Sequence, residues 1–581
     1  MSAIDIFQPY VDFFHKAVDF ALQKPLLFAF SSLLTISLTT IYITHNQSIF
    51  RIEDLRLQVK TIRRVPYWIP FVGSQVEFSA QSQAWLLAQA RKRRAGVFAL
   101  RLTGQDYIII ASPLLCDAIS NSEAISAKAY DDLQIRRFIG HPQITNNVFD
   151  RINQAHVDCM TDHSRLQKLT QLLESNTYNF ISPSRSWVDQ AQWERTADVK
   201  PISETPTLAV SALITTLIRD FASHIIFSSM IGNSFLDANA DFVTDFFNFS
   251  SKYSMFMTGL PYWIAPGLGP PALSREKCLR ALDTLVTAIA QELDRSTLGG
   301  LGAGLLYDVD AVHPAIRELV RQARQDTTVG FRPRPIACEI LEFLWRMIFQ
   351  TVHSVIWTII YLSMEGDEHK SALNSVQKEL KDVVVIRKAP PNGLPFPDPP
   401  SMKFNLVSKY GRAIENQLPV LRATISEVQR LETQLEQYLT VEEDFVLARS
   451  SADDEKENQD GSLIAGMAEK YQMWEGDQIY VAYGAANKDS QYWDRPQRFV
   501  PSRFLARDEP AKGANAIAMS RGFGLEATEE IMLIVVALLS SFDFSSIEGD
   551  KGLNHPGTTF VAGVGVPKRD ISVRVTRRPI A

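Results

Sequence analysis

The stretch Leu418–Thr433, LPVLRATISEVQRLET, constrains the fold more than any other. Leu421, Ile425, Val428 and Leu431 recur at helical spacing, which predicts one amphipathic helix with those four on its buried face. Glu427 and Arg430 stand three residues apart, so both side chains leave nearly the same side of that helix. A carboxylate and a guanidinium placed this way can close a bidentate pair. Taken alone, the pattern describes a solvated surface pair that contributes little. It gains weight because Tyr492–Leu505, YWDRPQRFVPSRFL, offers Arg503 as a third member of the charge network.

Together Glu427, Arg430 and Arg503 resemble the E-R-R triad of the cytochrome P450 family, in which the triad locks a helix to the loop that cradles haem. Other stretches extend the likeness. PYWIPFVG at Pro66–Gly73 looks like the proline-rich hinge behind a membrane anchor, and Ala95–Ser112 looks like the first hairpin of the small sheet. WEGDQIYVAYGAANKD at Trp474–Asp489 resembles the strand and turn that lead into the region after the triad helix. The resemblance implies a mainly α chain with a small β side (α+β), the cytochrome P450 fold, carried on an N-terminal transmembrane helix. The expected organisation is an N-terminal segment 1–24, an anchor 25–44, a linker 45–65 and a P450-like domain 66–581.

Composition narrows the partners. Of 581 residues, 46% are hydrophobic and 21% charged, the balance of an ordinary globular core. A net charge of -6 leaves no basic footprint, so nucleic acid is not expected as a partner. The 4 cysteines, Cys116, Cys159, Cys278 and Cys338, form no C-x-x-C pair, which argues against structural zinc and a disulfide scaffold.

Pro25–Thr44 carries no charge and is long enough to span a bilayer core. A cleaved signal peptide competes with this reading, but the apolar run starts late and shows no clean cleavage pattern. Lys16 and Lys24 precede the run, whereas Arg51, Arg56, Lys60, Arg63 and Arg64 follow it. That asymmetry puts the large domain on the cytoplasmic side. The resemblance adds the endoplasmic reticulum membrane as the location.

Helical spacing covers Gln75–Arg94, and alternation predicts short strands from Val97 to Ile110. Leu208–Met230 and Phe242–Met257 read as apolar helices of the core, part of which could line an apolar pocket. Cys338–Ser363 is apolar nearly all round, which predicts a helix crossing the interior. Ile386–Pro400 reads as a stiff proline-rich connector, and Ser450–Gly461 as an exposed charged insertion.

By resemblance, Cys338–Ser363 is the central helix over the haem, with Gln350 and Thr351 facing the distal side. The acid that usually precedes the threonine is missing, a layout that looks like the prostacyclin synthase and sterol 7α-hydroxylase branch. Gln350 is either a distal amide or a core amide satisfied by backbone. His353 could act in acid–base or metal chemistry, but a lone histidine in an apolar helix is more often simply hydrogen-bonded.

The family's haem-binding signature should follow Phe504. Here SRGFGLEATEEI at Ser520–Ile531 keeps the Phe523–Gly524 turn, with Gly522 beside it and Arg521 as the one stand-in for the propionate-binding base. A helix is expected over Glu526–Phe544. The axial cysteine between turn and helix is absent, and no cysteine follows Cys338. Three readings stay open. The sequence as written could omit a segment through a misplaced intron, and the enzyme would then be an ordinary haem-thiolate monooxygenase, with heme as cofactor and NADPH-cytochrome P450 reductase as electron donor. The fold could instead work without haem as a cyclase or isomerase through Gln350, Thr351 and His353, or could bind a pathway intermediate without chemistry. In each case the expected ligand is small and lipophilic, in the manner of fungal tailoring of polyketides or terpenoids in secondary metabolism.

Overall fold

The computed structural model describes residues 24–579, apart from segments 52–58, 299–306, 389–399, 406–413, 449–469 and 506–527 and several shorter stretches. The predicted proline connector and charged insertion fall largely outside the described residues. So do Arg521, Gly522, Phe523 and Gly524. The chain is mainly helical with small sheets and divides into two compact units. One holds residues 1–126 and 437–486, and the other holds 127–436 and 487–581.

The smaller unit is built on a five-stranded sheet. Strands Val97–Leu102 and Gln105–Ile110 form an antiparallel hairpin, and Gln478–Ala482 runs parallel to the second of them. The run of apolar residues in these strands is buried against helix Gln75–Arg93 through Phe98, Leu100, Ile109, Leu86 and Tyr480. Pro25–Asn46 is helical, slightly longer than the expected anchor. Of its described apolar side chains, Leu26, Phe30, Leu33, Leu38 and Tyr42 are all more than half exposed.

The larger unit is organised by the helix Pro333–Ser363. It begins earlier than Cys338 because proline at the first helical position has no N–H to lose. Among the described residues this helix is long and apolar enough to cross a membrane, but 94% of its apolar window is buried inside the protein. It is therefore a core helix, packed against helices Ile214–Ile231, Gly269–Leu298, Pro419–Glu432 and Thr528–Ser541. Its interior threonines are satisfied locally. Thr351 and Thr358 hydroxyls donate to the Met347 and Ser354 carbonyls, four residues back.

Three predicted boundaries shift. Ala209–Leu213 is a strand paired with Ser572–Arg577, and the helix starts only at Ile214, where the Asp570 carboxylate accepts from the Thr215 and Thr216 amides. The Phe242–Met257 run is two helices broken at Ser251–Lys252. The helix expected to reach Phe544 ends at Ser541, because Phe542–Ser546 pairs with the same Ser572–Arg577 strand. In the first and third cases a distant strand supplies hydrogen bonds that override local helical spacing.

Candidate functional site

Helix Pro419–Glu432 starts with proline at its first helical position, and the Glu379 carboxylate of a neighbouring helix accepts from the Val420 and Leu421 amides. This fills two of the donors that a helix N-terminus leaves open. Leu421, Ile425, Val428 and Leu431 are buried, as their spacing requires.

Glu427 and Arg430 are 0% exposed, so the surface-pair reading of E-x-x-R is overturned. Arg430 Nε and Nη2 donate to the two Glu427 oxygens, each at 2.8 Å. Its Nη1 donates to the carbonyls of Asn487 and Pro496, and Nη2 also reaches the Arg498 carbonyl. Glu427 accepts the Val500 amide at 3.0 Å, and Arg503 Nε lies 3.4 Å from the same carboxylate. The Trp493 ring covers the guanidinium at 5.1 Å. The three predicted members thus lie together, and their role is architectural: a buried bidentate pair fixes the 487–503 segment through its carbonyls.

A second carboxylate closes the same helix. Glu432 accepts from the Tyr361 hydroxyl at 2.7 Å, the Thr558 hydroxyl at 2.6 Å and His555 Nε2 at 3.1 Å. Burial pushes the Glu432 carboxyl upwards, but these hydrogen bonds outweigh it and hold the group below its usual range. Burial and the adjacent Glu432 charge push the Tyr361 hydroxyl up, so it stays protonated. His555 Nδ1 accepts the Gly557 amide, which places the ring proton on Nε2, facing Glu432. Its ring stacks on Trp357 at 5.1 Å, and Trp357 Nε1 donates to the Gly565 carbonyl of hairpin Thr558–Pro567.

Beside Glu432 lies a crevice with no room for a water molecule, lined by His353, Ser354, Trp357, Val428, Gln429, Thr433, Val564 and Gly565 as well. His353 Nδ1 is 2.7 Å from the Phe349 carbonyl, so the proton sits on Nδ1 and Nε2 is an acceptor. Burial lowers the His353 pKa to about 4, which keeps the ring neutral. Of the predicted trio, His353 therefore lines the cleft. Thr351 is tied to its own helix, and Gln350 is buried without lining this cleft.

A haem held by thiolate does not fit the residues present. All four cysteines are buried, and none follows position 338. Burial pushes the thiols of Cys159 and Cys338 up to about 11 and about 12, and that of Cys278 well above its usual value. These remain thiols, whereas the iron ligand is a thiolate. Among the described residues no group of three or more His, Cys, Asp or Glu is placed to hold a metal ion.

Sequence reasoning missed Glu432, Tyr361 and His555. Glu432 carried a signal: it stands four residues after Val428, so the helical period puts a charge on the apolar face. His555, brought in by a hairpin far along the chain, carried none.

No family model matches the chain. Human cytochrome P450 2U1 is 23% identical over 235 residues, which are 39% of this chain and 35% of that protein, so the match spans about a third of its length. A cyanobacterial protein, CYP120A1, solved with retinoic acid bound, superposes with a TM-score of 0.57 at 14% identity. It covers 88% of this chain and 98% of its own. The fold is that of the cytochromes P450. Sequence and structure differ in reach: the sequence likeness is partial, whereas the structural one runs over nearly the whole chain.

Proposed function

We propose that this chain is a membrane-anchored enzyme of the cytochrome P450 type that acts on a small lipophilic molecule of secondary metabolism. The observation that carries the reading is the fold match over 88% of the chain, joined to the buried network of Glu427, Arg430 and Arg503. The parent activity is monooxygenation, for which a haem would supply the oxygen chemistry and a flavin reductase the electrons. The chain as written lacks the cysteine for it, so that activity requires a longer message across Met519–Ile531 that restores a Cys and Gly. Sequencing that transcript is the direct test, and the carbon monoxide difference spectrum of the expressed chain is its chemical counterpart. A longer message with a band near the family's thiolate position supports the monooxygenase. A message identical to this chain removes it.

The exposed apolar helix Pro25–Asn46 supports a single-pass anchor, with the basic residues after it holding the bulk of the chain at the cytoplasmic face of the endoplasmic reticulum. Membrane extraction with carbonate against detergent tests this. Release by carbonate alone removes the anchor.

A haem-free cyclase or isomerase is the second reading, favoured by one specific observation. The crevice beside Glu432 is walled by a neutral imidazole acceptor, hydroxyls and an indole face, groups that would orient a lipophilic ligand once the side chains part to admit it. His353→Gln distinguishes the two. It changes the product profile if the cleft acts on substrate, and leaves it unchanged if His353 only packs.

A further inference from the structure

The N-terminal half of the central helix buries a second polar group, and its hydrogen bonds are incomplete. Glu342 is fully buried, and its Oε1 accepts from Gln134 Nε2 and from Arg346 Nε, both at 2.7 Å. Its Oε2 has no partner among the described residues. Trp345 is 5% exposed, and its indole N–H has none either. Arg346 Nη1 donates to Asn153 Oδ1 at 3.2 Å. Its Nη2 lies 3.5 Å from Asp131 Oδ2 but makes no hydrogen bond among the described residues.

These atoms belong to one place. Residues 342, 345 and 346 share a helix face. Gln134, which donates to Glu342, accepts from the Tyr253 hydroxyl at 2.7 Å. The Tyr253 ring in turn stacks on Trp345 at 5.5 Å and 4°. The contacts therefore run in a closed circuit from Glu342 through Gln134 and Tyr253 to Trp345. Phe138 and Phe349 pack on the Trp345 ring at 5.0 and 5.6 Å. An acceptor and two donors are left over at the edge of an aromatic wall. Buried polar atoms without partners are costly, and natural proteins fill such places with water or ligand.

We propose that this face is a substrate subsite that takes a single uncharged hydroxyl at one end of a lipophilic body. The inference rests on the lipophilic-substrate reading above. A hydroxyl donates once and accepts, so it can give its proton to Glu342 Oε2 and receive one from Trp345 Nε1 or Arg346 Nη2. A carboxylate would meet the Glu342 charge, and an ammonium would meet Arg346. An ether or fluoride would leave Glu342 Oε2 unpaired. A site built to hydrogen-bond an O–H rejects the analogue that lacks it. An ordered water can hold the same place before the ligand arrives, since a hydroxyl matches its size and hydrogen bonds.

The test uses the full chain in phosphatidylcholine nanodiscs, with decan-1-ol and 1-fluorodecane as probes and protein-free nanodiscs as the partition blank. Wild type is expected to bind the alcohol about tenfold more tightly than the fluoride. Glu342→Gln keeps the acceptor for Gln134 and Arg346 but turns the free oxygen into a donor, and it should abolish that preference. Trp345→Phe keeps the stacked ring and should reduce the preference several-fold. The melting temperature of each variant without ligand confirms that it is folded, and Trp345→Phe serves if Glu342→Gln is not. Equal binding of both probes to wild type, as a fixed water alone would give, overturns the subsite while leaving the lipophilic pocket standing. A folded Glu342→Gln that keeps the preference overturns it as well. Binding of neither probe overturns the lipophilic-substrate reading and the subsite with it.

Discussion

Arg430 and Arg346 each face a fully buried carboxylate in the larger unit, and they are finished to different degrees. Arg430 donates to both oxygens of Glu427 and to three backbone carbonyls. Arg346 has a carboxylate four residues earlier, Asn153 and the nearby Asp131, yet Arg346 Nη2 and Glu342 Oε2 remain without hydrogen bonds among the described residues. Both pairs are set up by helical spacing. Only the first draws its remaining partners from the backbone of a distant segment. A complete network of that kind fixes chain geometry and has nothing left to offer a ligand. An incomplete one is less useful as a clamp and more available for binding. Burial alone therefore does not distinguish the two pairs, whereas the number of satisfied atoms on each guanidinium and carboxylate does.

Breaking the complete network should have the largest effect. Glu427→Ala leaves a fully buried guanidinium without its counter-charge, and removing one partner of such a pair costs about 3–5 kcal/mol. It should abolish soluble expression or lower the melting temperature by about 3–5 degrees. Glu342→Ala should cost about 1–3 kcal/mol, because Arg346 keeps Asp131 and Asn153. Thermal denaturation of the two variants side by side checks the ranking, and equal losses would erase the distinction between the networks.

How much of this could be read in the sequence follows the same line. The E-x-x-R helix and Arg503 were legible because two of the three charges sit on one amphipathic helix with a clear apolar face. The hairpin at Val97–Ile110 and the apolar central helix were legible from period alone. Glu342 and Arg346 stand four residues apart in a helix predicted to be apolar all round, which was signal enough, but their spacing says nothing of Gln134, Asn153 or Tyr253. Those partners come from segments separated by long stretches of chain, and only the fold brings them together. The strand at Ala209–Leu213 hid for the same reason: its partner begins at Ser572.

Charge state offers a finer probe. Burial, only partly offset by Arg346, raises the Asp131 carboxyl from 3.8 to about 6. The folded chain thus holds this proton up to about pH 6, while the unfolded chain releases it near 3.8. Folding binds the extra proton between those values, so the Asp131 contribution falls as pH rises from about 4 to about 6. The burial penalty is then fully present, about 2–3 kcal/mol at most. His353 and His156, both lowered to about 4 by burial, act in the opposite sense, since the unfolded chain protonates first as pH drops below 6.5. The clean measurement is the difference between wild type and Asp131→Asn in urea midpoints at pH 4 and pH 7. The variant should gain relative to wild type as pH rises, and a difference that does not change with pH would mean that Asp131 is charged throughout.

The smallest expected effect tests whether the complete network depends on its aromatic cover. Arg430 lies over the Trp493 ring, an arrangement worth roughly 0.5–1 kcal/mol when the cation is otherwise exposed. Here the guanidinium already has five hydrogen bonds, and the Trp493 indole N–H is itself buried without a partner among the described residues. Trp493→Phe weakens the ring's pull on the cation but also removes an unsatisfied donor, and the two changes oppose each other. The melting temperature should therefore move by no more than a degree or two. A loss approaching that of Glu427→Ala would mean that the ring, and not the carbonyls, holds Arg430 in place, and the account of why that network is complete would have to be rebuilt around Trp493.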